Sequence, residues 1–137
     1  MKALPYAYAR KNVVECGISE TLPSVAKKMR DEGVGSLIVK DESGGYAGML
    51  TDSLIFGAIA DGKNVSEMKV SDLHLMPFAK ASRDADFGEV MDLFAKHNVS
   101  RLALTDEKGK IVAVLKKKNI ERFAYFNMAS KLSPLKP

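Results

Sequence analysis

Aliphatic runs, glycine turns and helix-spaced apolar residues alternate along the first half of the chain. Val13 to Cys16, Leu37 to Val39 and Tyr46 to Leu50 are typical of strands, which aliphatic and β-branched residues favour. Ser43-Gly44-Gly45 predicts a hairpin turn, since glycine permits positive φ. Apolar residues at helical spacing predict one helix before these two paired strands and one after them. They are Leu22, Val25, Ala26 and Met29 in the first helix, and Leu54, Ile55, Ala58 and Ile59 in the second.

The second half repeats this pattern sixty-five residues later. Residues 22–57 align without a gap on residues 87–122, with eight identities in thirty-six pairs, where chance gives roughly two. The match predicts strands over 101–105 and 110–115 and a last helix from about Lys117 toward Lys131. Such an internal repeat indicates an α+β fold of two βαββα copies. The identical pairs include Val25 with Val90, Leu37 with Leu102, Gly44 with Gly109, and Leu50 with Leu115.

One copy of about sixty residues would bury only a marginal core, so we expect the two copies to need each other. The predicted domains are residues 1–66, the first repeat with its lead-in, and residues 67–137, the second repeat with an extended C-terminal helix and tail. The strand residues predicted to be buried are Leu37, Val39, Leu50, Leu102, Leu104 and Leu115.

Composition narrows the function classes. The net charge of +4 and pI near 9.1 permit contact with nucleic acid or phosphate without requiring it. Cys16 is the single cysteine, which rules out an internal disulfide or a cysteine-based metal cluster. His74 and His97 lack metal-site spacing. No apolar run approaches the ~18 residues of a membrane span, and the N-terminus lacks a signal-peptide core. We expect a cytoplasmic protein without a membrane contact.

The residues of the repeat also resemble a known family. Gly33 to Asp41 with Gly48-Met49-Leu50-Thr51, and His97 to Val112 in the second copy, resemble CBS (cystathionine-β-synthase) domains. Val70 to Leu73 resembles the lead-in of a second domain, and the resemblance covers about residues 12–126. It implies a Bateman module, with two repeats packed in pseudo-two-fold symmetry and clefts between them that take AMP, ADP, ATP or S-adenosylmethionine. With no attached enzyme domain, we expect a stand-alone sensor.

The family's ligand motif is a glycine, two apolar residues and a hydroxyl residue, with an aspartate three residues later. The first copy keeps Thr51 but has Leu54 at the aspartate position, while the second copy has Lys116 and Asn119. Arg101 stands where some family members place an arginine that faces phosphate. The resemblance therefore makes Thr51, Arg101, Lys116 and Asn119 the candidate ligand residues. We find no catalytic set of side chains and expect no enzyme.

The run Lys116 to Lys118 opens the last helix, where positive charge opposes the helix dipole. One interpretation is a site for phosphate or acidic groups, and the other is a solvated charge run. The leading hypothesis is a nucleotide-responsive regulator. We expect it to be a homodimer, because the last helix carries apolar residues, Tyr125, Phe126, Met128 and Leu132, beyond the repeat. The alternative is a ligand-free scaffold that binds nucleic acid or an acidic protein through this basic surface.

Overall fold

A computed structural model of the protein describes residues 5, 8–10 and 13–122. This part of the chain divides into two compact units. Residues 13–77 form the first unit, and residues 78–122 together with the segment at 8–10 form the second. The predicted C-terminal extension and tail lie outside the described residues.

The first unit is a three-stranded sheet with helices. Its strand order is β1-β2-β3, in which β1 and β2 are parallel and β2 and β3 are antiparallel. Two 3₁₀ turns follow its second helix, at Val65–Glu67 and Val70–Asp72. The elements are β1 (Glu15–Gly17), α1 (Leu22–Glu32), β2 (Ser36–Lys40), β3 (Tyr46–Thr51) and α2 (Asp52–Ala60).

The second unit repeats this arrangement. Its sheet has the order β4-β5-β6, again with one parallel and one antiparallel pair. Helix α3 and strands β5 and β6 begin and end 65 positions after α1, β2 and β3, as in Leu22 and Phe87 (87 − 22 = 65). The predicted α+β fold of two βαββα copies is confirmed. The elements are β4 (Ala79–Ser82), α3 (Phe87–His97), β5 (Arg101–Thr105), β6 (Ile111–Lys116) and helical residues 117–122.

The two copies also begin and end their first helices in the same way. Thr21 caps α1 by accepting a hydrogen bond from the Ser24 N–H at 3.3 Å, and Asp86 caps α3 through the Glu89 N–H at 2.9 Å. Each helix ends at a left-handed residue, Gly33 with φ 64° and Asn98 with φ 49°. Glycine and asparagine tolerate this conformation best. Short-range side-chain chemistry thus sets both helix boundaries.

Each unit has its own hydrophobic core. Leu37 lies opposite Leu50 across the β2–β3 pair, and Leu102 lies opposite Leu115 across β5–β6. The helices contribute Val25 and Ile55 to the first core and their repeat equivalents to the second. All six strand residues predicted to be buried are buried, which confirms that assignment.

Backbone bridges join each sheet to a segment from the other repeat's lead-in. Met76, which precedes the second repeat, exchanges two 2.9 Å hydrogen bonds with Met49 of β3. Arg10, which precedes the first repeat, pairs with Val114 of β6 at 2.7 and 2.9 Å. Each sheet is therefore completed by a segment that lies, in the sequence, just before the other repeat.

The connector belongs to the first unit. Met68 accepts a hydrogen bond from the Leu22 N–H at 2.8 Å, and the side chain of Val70 is buried in the first core. The units divide between residues 77 and 78, while the sequence suggested a boundary between 66 and 67. The connector packs against apolar surface of the first unit, so the boundary between the units does not coincide with the boundary between the repeats.

One local boundary differs from the sequence expectation. Strand β1 begins at Glu15 rather than Val13. Thr51 caps α2, and Asp52 is the first helical residue. The buried Thr51 hydroxyl accepts from the third helical N–H, which leaves Asp52 exposed in the first turn, where its charge suits the helix dipole.

Replacing Leu102 by alanine should lower the free energy of unfolding by about 2–5 kcal/mol, because it leaves a cavity beneath the centre of the second sheet. Denaturant unfolding measures this. The exposed Lys110→Ala variant in the same hairpin is the control and should stay within about 0.5 kcal/mol of the wild type. A loss under half a kcal/mol for Leu102→Ala would contradict the assigned core.

Two glycine-to-alanine substitutions should change stability in opposite directions. Gly48 has φ 152°, and a Cβ there would lie 2.9 Å from the Leu75 Cβ, so Gly48→Ala should destabilise by more than about 1 kcal/mol. Gly57 lies inside α2 with nothing near its Cβ position. Gly57→Ala should stabilise by about 0.5–1 kcal/mol through helix propensity. Equal changes in the free energy of unfolding of the two variants, measured by chemical denaturation, would show that residues 75–76 do not pack closely against β3.

Candidate functional site

Two cations face each other at one end of the second sheet. Arg101, the first residue of β5, is the register partner of Lys116, the last residue of β6. Leu102 and Leu115, the next pair along, are buried in the core. Because successive strand residues point to opposite faces, Arg101 and Lys116 lie on the face away from that core. Side chains of directly opposite residues are about 5 Å apart at Cβ, so the two cationic side chains start close together.

A third cation reaches the same strand from the start of the chain. The bridge between Arg10 and Val114 places Arg10 two positions from Lys116 along β6. Val114 shares the face of Lys116, since the two are two positions apart in a strand. The side chain of Arg10 is exposed, and that of Arg101 is half-buried. Sequence reasoning missed Arg10, because backbone pairing between distant segments leaves little trace in the side chains.

The last helix begins directly after Lys116. The Lys117 N–H donates to the Ser100 carbonyl at 2.9 Å, which ties the helix start to the residue before β5. Asn119 is the third residue of this helical segment and is half-buried. The first N–H groups of a helix lack partners within it and carry positive partial charge. Arg101, Lys116 and Asn119 therefore belong to one unit, beside donors suited to an anion.

The corresponding place in the first unit is uncharged. Ser36 and Thr51 are register partners there, at the positions of Arg101 and Lys116. The Thr51 side chain is buried, and its hydroxyl accepts from the Leu54 N–H at 3.4 Å and lies 2.9 Å from the Ser53 hydroxyl. These contacts explain why Thr51 stands at this position, since its hydroxyl caps helix α2. Leu54 packs against the first core and offers no hydrogen-bonding group.

The remaining chemistry-bearing residues form no cluster in the described part of the chain. His97 ends α3 and is exposed, and His74 is exposed in the connector. Within residues 5, 8–10 and 13–122, no group of three or more His, Cys, Asp or Glu side chains could hold a metal ion. None of the described helices is long and apolar enough to cross a membrane.

Cys16 is a core residue of β1. Its side chain is buried among the residues of the first core. Burial, with the nearby Glu20 carboxylate, raises the pKa of the Cys16 thiol to about 11. Since only the thiolate is a strong nucleophile, this cysteine is chemically inert near neutral pH.

The fold and the repeat agree with a family model. The CBS domain model matches residues 6–61 and 70–124, and the chain therefore belongs to the CBS domain family. Among curated proteins, it is 27% identical over 113 residues to the uncharacterized protein MK0525 of Methanopyrus kandleri, covering 82% of this chain. It is 33% identical over 95 residues, 68% of this chain, to the uncharacterized protein YlbB of Bacillus subtilis. The matches span 58% and 64% of those relatives' lengths.

Solved structures share the fold. An uncharacterized conserved protein from Pyrococcus horikoshii matches with a TM-score of 0.66 and 23% identity, over 100% of this chain and 98% of that one. The hexameric CBS-CP12 protein from bloom-forming cyanobacteria gives 0.71 at 20% identity, over 95% and 73%. The CBS domain pair of MJ0100, solved with 5′-methylthioadenosine and S-adenosyl-L-methionine, gives 0.60 at 20% identity, over 88% and 98%.

Thiol labelling tests the burial of Cys16. With a pKa of about 11, about one thiol in a thousand is ionised at pH 8, so a thiol reagent should modify the native protein very slowly and the denatured protein quickly. Ser19 is exposed two residues beyond β1, and Ser19→Cys in a Cys16→Ala background should label quickly without denaturant. Rapid labelling of native wild type would contradict a closed first core.

Proposed function

We propose that the protein is a regulatory CBS pair whose second unit binds an adenosine-type nucleotide through its phosphate groups. Arg101 and Lys116 contact the phosphate, and Asn119 lies at the edge of the site, where its amide can hydrogen-bond a ribose hydroxyl. Candidate ligands are AMP, ADP, ATP and S-adenosylmethionine. The protein regulates a partner rather than catalysing a reaction.

The like-charge pair of Arg101 and Lys116 carries this proposal. The register sets these cations directly opposite each other, so that both side chains can reach one anion. The fold does not require the charges, because the first unit builds the same strand pair with Ser36 and Thr51. A phosphate beside the two side chains would accept charge-assisted hydrogen bonds from both.

Two further observations support an anion at this end of the sheet. The backbone pairing of Arg10 adds a third cation to β6, and the helix that begins after Lys116 contributes its N-terminal dipole. The adenosine compounds in the MJ0100 structure are a precedent for this ligand class in the fold. In the first unit Leu54 occupies the acceptor position and Thr51 is a buried cap, so we propose that the first unit binds nucleotide more weakly or not at all.

We also propose that the protein works as a homodimer. The solved relative from cyanobacteria is described as hexameric, and a regulator without catalytic residues must pass its signal to another chain. The apolar residues that predict a homodimer, Tyr125, Phe126, Met128 and Leu132, lie outside the described residues.

Isothermal titration calorimetry with AMP, ADP, ATP and S-adenosylmethionine tests the nucleotide proposal. Arg101→Ala and Lys116→Ala should each weaken affinity by about ten-fold or more, since a hydrogen bond to a charged group contributes about 1.5–3 kcal/mol. Lys108→Ala, which removes an exposed lysine at the other end of the β5–β6 hairpin, should leave affinity unchanged. Leu54→Ala should act mainly on stability.

The result that would overturn the proposal is the absence of binding heat with every adenine compound at millimolar concentration. A shift of the melting temperature by short RNA or an acidic peptide, without one by nucleotides, would favour the scaffold hypothesis. An equal loss of affinity in Lys108→Ala would show that overall charge, rather than the Arg101–Lys116 pair, attracts the ligand.

A further inference from the structure

Residues 8–10 lie along the edge of the second sheet. The strand order β4-β5-β6 leaves β6 at this edge. There the Arg10 N–H donates to the Val114 carbonyl at 2.7 Å, and the Val114 N–H donates to the Arg10 carbonyl at 2.9 Å. Ala9 packs against the second core. Because successive residues of an extended segment point to opposite faces, the side chain of Arg10 lies on the face that carries Lys116.

The first unit builds the same bridge without a charge. Met49 is the equivalent of Val114 (114 − 49 = 65), and it exchanges two 2.9 Å hydrogen bonds with Met76. The strand ends of this sheet, Ser36 and Thr51, are also uncharged. The backbone pairing therefore needs no cation, and the two bridges differ in charge while they share their geometry.

Apolar packing anchors the two bridges unequally. Leu73 and Leu75 both pack against the first core, and a Cβ on Gly48 of β3 would lie only 2.9 Å from the Leu75 Cβ. Of the described residues 8–10, Ala9 alone packs against the second core, and it contributes a single methyl group. Since burial of apolar surface is the main stabilising term in such contacts, the bridge of the second unit has the weaker apolar anchor.

The sheet geometry lets one ligand reach three cations. Arg101 and Lys116 are register partners, about 5 Å apart at Cβ, and Arg10 is the diagonal neighbour of Lys116, about 7–8 Å away. Arg10 and Arg101 lie on either side of β6, roughly two strand spacings or 10 Å apart. Long side chains can extend over such distances, and each phosphate group offers several anionic oxygens as acceptors.

We propose that Arg10 couples residues 8–10 to the anion site. A phosphate held by Arg101 and Lys116 also accepts a charge-assisted hydrogen bond from the Arg10 guanidinium. This contact fastens the segment onto the edge of β6. Without the ligand the segment leaves β6 more often, which uncovers the N–H and C=O groups of Val114. Occupancy of the site thus decides whether this edge of the sheet is covered. The inference rests on the proposed function and describes how binding changes the protein.

Coupling of this kind is reciprocal, so the segment must strengthen phosphate binding by the same factor by which phosphate strengthens the bridge. Arg10→Ala should therefore lower nucleotide affinity and also remove the effect of nucleotide on the bridge. The backbone hydrogen bonds of the bridge do not involve the side chain, and the side chain is exposed, so the variant should fold, as circular dichroism and the melting temperature can verify. Arg10→Lys keeps the charge and should retain the coupling.

Amide hydrogen exchange of the full chain, followed residue by residue with NMR, measures the bridge directly. Exchange is recorded without ligand and with AMP, ADP or ATP at concentrations that saturate each variant. Nucleotide should slow the exchange of the Arg10 and Val114 N–H groups by about ten-fold or more, the factor that one hydrogen bond to a charged group supplies. The N–H groups of Met49 and Met76 are the internal control, and their exchange should not change.

The variants separate this coupling from general stabilisation. Nucleotide should no longer slow exchange at Val114 in Arg10→Ala, whereas it should still do so in Arg10→Lys and in Lys108→Ala, the exposed charge control. Slowing that persists in Arg10→Ala, or that is equal at Met49, would overturn the coupling. Binding heat without any change of exchange at Val114 would overturn it as well and leave the nucleotide proposal standing. No binding heat with any of the three nucleotides would overturn both.

Discussion

Each sheet depends on one pair of leucines that face each other across its two antiparallel strands. Leu37 meets Leu50 in the first unit and Leu102 meets Leu115 in the second, and each is at most 1% exposed. A slip of one strand by one residue would move its leucine to the wrong face, so the burial of both leucines holds the register. The next pair along β5 and β6, Arg101 with Lys116, must then lie together on the opposite face. The apolar core thus sets the geometry of the charged site.

Each sheet is extended by backbone from outside its own repeat. Met76 pairs with β3, and Arg10 pairs with β6. The first of these pairings requires glycine at position 48, since a side chain there would collide with Leu75. The second brings a cation to the candidate anion site. Dividing the chain between residues 66 and 67, where the sequence predicts the domain boundary, would therefore separate each sheet from the segment that pairs with it.

The two copies act as an internal comparison for function. Because they align without a gap, each position in one copy has a counterpart under nearly the same structural constraints. Where the copies agree, as at Ile55 and Ile120 in the cores or Gly44 and Gly109 in the turns, the fold itself explains the residue. Where they differ sharply, as at Ser36 and Arg101 or at Phe56 and Glu121, folding alone does not explain the choice. The difference between Ser36 and Arg101 supports the proposal of an anion site in the second copy.

The sequence by itself determined the repeat, the order of helices and strands, and the buried leucines. These features depend on alternation, spacing and capping over a few residues, which side-chain identity records directly. Tertiary structure alone decided that Arg10 joins β6, that residues 67–77 belong with the first unit, and that Phe56 stays exposed on helix α2. Backbone pairing between distant segments leaves little trace in the sequence, because almost every residue carries the same N–H and C=O groups. Exposure depends in turn on which other segments pack against a helix.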